Sequence, residues 1–178
     1  DSGPTGERGV FNTTDEAIDA AEAAQLQLLA LSLETRNAII NALRQTGVKY
    51  AEDFARRTVE ETKMGRLEDK TSKFKLVAEK TPGLEDITST AWSGDHGLTV
   101  VEMAPYGLIG AIKPSTHPIP TLLNNAISII AAGNSVTFNP HPASKNVFKY
   151  AVHLFNEAII SAGGPPNLIT TVAEPTIE

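Results

Sequence analysis

Two short loops carry the side chains best suited to chemistry in this sequence: Lys113-Pro114-Ser115-Thr116-His117-Pro118 and Asn139-Pro140-His141-Pro142. Each joins an imidazole to hydroxyl, amide or ammonium groups, and each is bounded by proline. A proline has no N–H to give to a ladder and its φ is fixed, so the β-branched run that reaches Asn139 must end and turn there. A turn stiffened in this way holds its polar groups in place before a ligand arrives, which lowers the ordering cost of binding. Such groups suit a nucleotide, and the same residue types also serve as ordinary turn formers. The two common phosphate cradles are missing: no G-x-G-x-x-G follows a strand and no Walker P-loop occurs. With no cysteine among 178 residues there is no disulfide, no thiolate nucleophile and no cysteine metal site. No metal site is expected.

These loops need a scaffold, and the chain is long enough to bury one. A net charge of −6 and a pI near 5.2 leave no basic footprint, which argues against nucleic acid and anionic membrane as partners. No apolar run reaches membrane-spanning length. Charge is uneven: residues 1–80 hold 12 of the 15 Lys/Arg and 14 of the 21 Asp/Glu. The character changes near Thr81-Pro82-Gly83. Before it, Thr13 and Glu16 form a capping box ahead of AIDAAEAAQLQLLAL, and further amphipathic helices are predicted over LETRNAIINALRQTG, VKYAEDFARRTVEET and LEDKTSKFKLVAEK. Gly47, Gly65 and Thr81-Pro82-Gly83 are read as their stops. The MGRLEDK run reads either as a charged binding patch or as a solvated helix start with local ion pairs.

After the change, GLIGAIK, NSVTFN and NLITTVA read as strands separated by the helices TLLNNAISIIAAG and ASKNVFKYAVHLFNEAIISAGG. The order from residue 107 is β-α-β-α-β. Continuous apolar strands alternating with helices predict a parallel sheet covered on both faces, with right-handed crossovers, so the fold class is α/β. In such sheets ligands sit outside the carboxyl ends of the strands. Both polar loops lie at that edge. His141 is then either a turn histidine held by backbone hydrogen bonds or a nucleotide contact. Lys113 is either a surface charge at a strand end or part of the same site.

The longer pattern APYGLIGAIKPSTHP…NNAISIIAAGNSVTFNPHPASK…AGGPPNLITTV resembles the amino-terminal half of the cofactor domain of the aldehyde dehydrogenase superfamily. P-S-T-x-P and F-x-P-H-P together, with GVFNTTDEAIDAAEAAQ, ETKMGRLEDK and TPGLED, are similar to the CoA-acylating acetaldehyde and propionaldehyde dehydrogenases of ethanolamine and propanediol catabolism. The resemblance covers residues 9–178. It implies a Rossmann-like fold: residues 1–83 as an amino-terminal helical layer, 84–106 as a strand region for oligomerisation, and 107–178 as half of the parallel cofactor-binding domain. Such enzymes oxidise a short-chain aldehyde to acyl-CoA with NAD, through a thioester on a cysteine. The resemblance assigns Ile112, Lys113, Pro114, Ser115 and Thr116 to the nicotinamide-ribose side, and Asn139, His141 and Pro142 to the adenosine end. Gly163 and Pro165 match a turn flanking the adenine pocket. Thr116 and His117 lie on the oxyanion side, where His117 stands in place of the subgroup's usual Asn. A neutral imidazole offers one donor and sits differently from an amide.

The missing cysteine predicts that the chain is a noncatalytic fragment, inactive alone, because an unactivated Ser or Thr hydroxyl does not replace a thiolate. The rival reading is a stand-alone nucleotide-binding or assembly module, and a third is a scaffold that binds nothing. The glycine-rich SGDHG turn and the strand at 98–103 imply a homo-oligomer, since an uncovered edge strand invites pairing. The resemblance is compatible with the bacterial cytoplasm or a microcompartment interior, and nothing before Gly9 reads as an amphipathic targeting helix.

Overall fold

In the computed structural model, which describes residues 8–177, Thr13 begins the first helix with the expected reciprocal cap. The Glu16 N–H donates to Thr13 Oγ1 at 3.3 Å and the Thr13 N–H donates to Glu16 Oε2 at 3.1 Å. The elements in order are β1 (Val10–Phe11), α1 (Thr14–Leu29), α2 (Leu33–Lys49), α3 (Ala51–Thr62), α4 (Leu67–Lys80), β2 (Thr90–Gly94) and β3 (Gly97–Val101). There follow β4 (Leu108–Lys113), α5 (Pro118–Ala131), β5 (Ser135–Pro140), α6 (Lys145–Ser161) and β6 (Ile169–Val172). Whatever precedes Arg8, including the question of a targeting helix, lies outside the described residues. Among those described, no helix is long and apolar enough to cross a membrane.

The expected β-α-β-α-β unit forms, and its strands are parallel, in the order β1-β6-β5-β4. β4 pairs with β5 from Leu108↔Ser135 to Lys113↔Pro140, while β6 pairs with β5 only as far as Phe138↔Thr171. Pro140 therefore sits beyond the end of β6, and the next N–H, that of His141, closes the ladder on Lys113 O at 3.1 Å. The sequence placed the strand's end at Asn139, one residue early. β1 was not foreseen. Its two residues pair with Thr171 and Val172, and Gly9 with φ +84° brings the chain in so closely that a Cβ there would lie 2.4 Å from Ile169 O.

α1 covers one face of the sheet, and α5 and α6 cover the other, with α2 and α4 stacked outside them. The facing stripe of α1 is Ala17, Ala21 and Ala24, small enough for Thr170 Oγ1 to donate to Ala17 O at 3.0 Å. α5 is enclosed between sheet and outer helices, so Ile119, Leu122, Leu123, Ala126, Ile127 and Ile130 are all buried, which explains why its segment carries no charge. Phe54 links the layers through ring contacts with Phe74 at 5.6 Å and Phe155 at 5.7 Å.

Gly47 is a correction. It does not stop α2, which continues to Lys49; it lies where α2 meets α5, and a Cβ there would approach Leu123 Cδ2 to 2.5 Å. Close packing, not a turn, requires the glycine. Gly65 does fall between helices, beside Lys63, whose left-handed φ of 58° caps α3. In MGRLEDK, Arg66 pairs with Asp69 at 2.7 Å in the first turn of α4, as a solvated helix start would.

β2 and β3 form an antiparallel hairpin around Asp95 and His96, registered from Thr90↔Val101 to Gly94↔Gly97. Every residue of both strands is exposed. β2 was not anticipated, and β3 ends at Val101 instead of Met103.

Candidate functional site

β4 ends at Lys113, and its alternating side chains point to opposite faces. Ile112 is 85% exposed, whereas its neighbour Lys113 is 4% exposed. Ile112 faces the side on which α1 leaves β4 largely uncovered. There it lines a cavity of about 750 Å³ with Thr137, Asn139 and Glu174, floored by Gly110 and Ala111 and bordered by Asn12 and Thr13. The volume is that of a small-molecule site. Asn139 Nδ2 donates to Thr176 O at 3.2 Å, so the residues after β6 close one wall. Lys145 Nζ pairs with Glu174 Oε2 at 2.5 Å, and that hydrogen bond holds the Glu174 carboxyl below its ordinary range.

Lys113 is not a surface charge. Its ammonium lies 4.9 Å from the centroid of Phe138 and donates to the oxygen of the Asn125 amide, whose nitrogen in turn donates to Thr121 O at 3.3 Å. Burial pulls its pKa down to about 8. The lysine thus sits beneath the sheet, on the opposite side from Ile112.

Thr116 and His117 open on a second cavity, of about 310 Å³, lined by Gly65, Arg66, Asp69, Lys70 and Lys73. Lys70 Nζ donates to Thr116 O at 2.9 Å, and Lys73 Nζ lies 2.6 Å from His117 Nε2. An ammonium can only donate, so Nε2 accepts and the imidazole is neutral. Burial first, then the charges of Lys73 and Lys70, lower the His117 pKa. Pro114 and Ser115 form the connection between the two cavities, Pro114 exposed and Ser115 half-buried.

The second loop serves its own helix. His141 Nδ1 accepts the Ala143 N–H at 3.1 Å, and His141 O accepts the Ser144 N–H at 2.9 Å. Pro142 stands in the first position of the 3-10 turn Pro142–Ser144 that leads into α6, where no N–H is needed. The backbone N–H groups of Asn146 and Val147 donate to the Glu61 carboxylate at 2.9 and 2.7 Å. A side chain of the protein thereby occupies the anion position at the start of α6.

The structure gathers Ile112 with Asn139, and separately Thr116 with His117. Gly163 and Pro165 join neither group: they lie between the end of α6 and the start of β6, at the amino-terminal edge of the strands. There Gly163, with φ +86°, ends α6, and Pro165 is buried. Glu174 and Thr176 were missed, although the rule that ligands meet loops at strand carboxyl ends applies to β6 as much as to β4 and β5.

These features match known proteins. The family model described as the aldehyde dehydrogenase family matches residues 7–178. The chain belongs to the aldehyde dehydrogenase family. Acetaldehyde dehydrogenase (acetylating) EutE of Escherichia coli (strain K12) is 49% identical over 172 residues, which is 97% of this chain and 36% of that protein. A propionaldehyde dehydrogenase from the Clostridium phytofermentans fucose utilisation bacterial microcompartment superposes with a TM-score of 0.94 at 53% identity, over 96% of this chain and 39% of that one. Rhodopseudomonas palustris propionaldehyde dehydrogenase with bound propionyl-CoA gives a TM-score of 0.94 at 45% identity, over 96% and 38%. The chain therefore spans little more than a third of the length of these relatives. Its fold is the Rossmann-like amino-terminal arrangement of aldehyde dehydrogenase structures.

Proposed function

We propose that this chain supplies the nucleotide-binding part of an NAD-linked, CoA-acylating aldehyde dehydrogenase that converts a short-chain aldehyde and CoA to acyl-CoA. The observation that carries this reading is Ile112: a large apolar side chain 85% exposed at the carboxyl end of a parallel strand, over a cavity that also holds the Asn139 amide and the Glu174 carboxylate. An apolar surface flanked by an amide and a carboxylate fits a nucleoside, whose base stacks while its ribose hydroxyls are hydrogen-bonded. NAD, when bound, accepts a hydride. The chain's own part is to orient it: Ile112 packs against it, the loop Pro114–Thr116 passes its ribose, and Asn139 holds the adenosine end. His141 and Pro142 keep that loop rigid. Thr116 and His117 line the side on which an acyl oxygen would develop charge.

No thiolate is available within the 178 residues, so the thioester step belongs to sequence beyond them, and the chain alone should turn over no aldehyde. The same fact favours a second reading, a nucleotide-binding module without catalysis. An open reading frame that continues past Glu178 into a cysteine-bearing domain supports the first reading only. Titration calorimetry of NAD and of CoA into the chain tests both. Saturable binding of either, weakened about tenfold or more by Ile112→Glu, is the expected result. Failure of both ligands to bind leaves a scaffold and overturns both readings. The microcompartment origin of the Clostridium phytofermentans relative supports a microcompartment or bacterial cytoplasmic location, and the exposed hairpin supports a homo-oligomer.

A further inference from the structure

The second cavity carries an electrostatic imbalance. Lys70 and Lys73 stand three residues apart on α4, hence on one face of the helix, and both ammonium groups reach the loop at Thr116 and His117. The nearby carboxylate, Asp69, is engaged by Arg66 at 2.7 Å. Among the described residues neither lysine makes an ion pair, and their partners on the loop are a carbonyl oxygen and a neutral imidazole. Two positive charges are thus held together, Lys70 half-buried and Lys73 exposed, at the rim of a cavity of about 310 Å³, with at least two donors remaining on each ammonium. Like charges three residues apart repel. An acceptor placed between them would convert that repulsion into charge-assisted hydrogen bonds. The lowered pKa of Lys70, set by burial first and by Lys73 second, agrees with this geometry. The setting is also local, because the chain as a whole is acidic, with a net charge of −6.

We propose that the cavity between α4 and the 116–117 loop is an oxyanion subsite, in which Lys70 and Lys73 together bind a carboxylate or phosphate group. Its oxygens bridge the two ammonium groups. His117, released from sole pairing with Lys73, turns from acceptor into an added donor once a negative charge is present. The capture of an oxyanion does not depend on the family's reaction. Only its source rests on the proposed function: either a carboxylate on the far end of the aldehyde, or a phosphate of the nucleotide ligands.

The test is an NMR titration of the 178-residue chain with sodium phosphate and sodium succinate, against sodium chloride at matched ionic strength. Saturable shifts confined to Lys70, Lys73, Thr116 and the His117 ring are expected, with an upward shift of the His117 titration when the anion is bound. Lys70→Gln and Lys73→Gln should each weaken binding about tenfold, the value of one charge-assisted bond, with the rest of the spectrum unchanged. Shifts no larger than those from chloride, or an affinity in both variants equal to that of the unaltered chain, overturn the subsite. If a variant loses spectral dispersion, the His117 titration in the unaltered chain decides: no movement of it under phosphate or succinate overturns the proposal. The source is read by competition. Displacement of phosphate by NAD or CoA assigns the subsite to a nucleotide phosphate; displacement by succinate at lower concentration than by acetate assigns it to a carboxylate-bearing aldehyde. Loss of NAD and CoA binding at the Ile112 cavity with phosphate binding intact would sink the proposed function and leave the subsite standing.

Discussion

The carboxylate of Glu61, near the end of α3, accepts the backbone N–H of Val147, in the first turn of α6, at 2.7 Å. With the neighbouring bond from Asn146 at 2.9 Å, it satisfies two of the donors that a helix start leaves open. The bond crosses 86 residues of chain, so it ties the outer helical layer to the sheet-covering helix. Glu61→Ala should cost about 1–2 kcal/mol of stability, the range of a lost helix cap, read as a lower urea midpoint. Because the carboxylate occupies the helix start, binding of NAD and CoA should not change; tighter phosphate binding in the variant would show that Glu61 competes with a ligand.

Lys113 gives a pH prediction with a definite sign. The unfolded chain keeps the proton to about the ordinary value of 10.5, and the folded chain releases it near 8. Between these values the unfolded state binds more protons, so stability rises with pH, and the penalty for burying the ammonium is fully present below about 8. Lys113→Met removes that penalty and should be more stable than the parent at neutral pH, by about 1–3 kcal/mol. The advantage should shrink as pH is raised through this window. A difference that stays constant with pH would mean that the Asn125 and Phe138 contacts already compensate the charge.

Much of this fold was legible because its cause is local. The β4-α5-β5-α6-β6 order follows from β-branched runs ended by Gly or Pro, and the Thr13 cap from residues three apart. What stayed hidden depends on contacts distant in sequence. β1 is two residues long, below any periodicity, and forms because Gly9 can approach Ile169 O. Gly47 reads as a helix stop until Leu123 arrives from α5. The site shows the same division. The two proline-bounded loops announced themselves by composition, but which side of β4 each residue faces separates Ile112 from Lys113, and the role of Lys70 and Lys73 emerges only when α4 meets a loop 44 to 46 residues later. Gly163 and Pro165 were drawn in by motif similarity, and the direction of β6 places them at the far edge.

Asn156 should be among the most sensitive buried positions. Its side-chain nitrogen donates to Ile169 O at 2.7 Å and Val152 O at 3.0 Å, and its oxygen accepts the Asn167 N–H at 3.0 Å. This fixes the entry of β6 and the adjacent Gly9. Asn156→Leu leaves those backbone groups unpaired in the interior, and a loss of about 2–4 kcal/mol is expected from chemical denaturation. A loss under about 0.5 kcal/mol would show that the strand entry is held by pairing alone.

The β2–β3 hairpin exposes Trp92 at 58%, Leu98 at 67% and Val100 at 52%, and an isolated two-stranded hairpin is marginal in water. Self-association through this hairpin is the expected outcome, with a mass by light scattering that rises with concentration. Leu98→Lys should return the chain to monomer. A sharp monomer for the parent across a wide concentration range would refute it.

His141 separates capping from ligand contact. Its Nδ1 is committed to the Ala143 N–H, and its backbone oxygen accepts the Ser144 N–H and hydroxyl at 2.9 and 3.1 Å. The residue thus stops β5, turns the chain and starts the 3-10 turn ahead of α6. His141→Ala should lose about 1 kcal/mol of stability, and His141→Asn, whose amide oxygen can accept the same N–H, should recover most of it. If the imidazole acts only as a cap, NAD and CoA affinities follow neither substitution. If it also meets the adenosine end, affinity falls about tenfold in both variants while Asn restores the melting temperature alone. Calorimetric titration beside thermal melts of the same two variants distinguishes these cases, because a cap alone changes the melting temperature and leaves affinity unmoved, whereas a ligand contact lowers affinity in both variants.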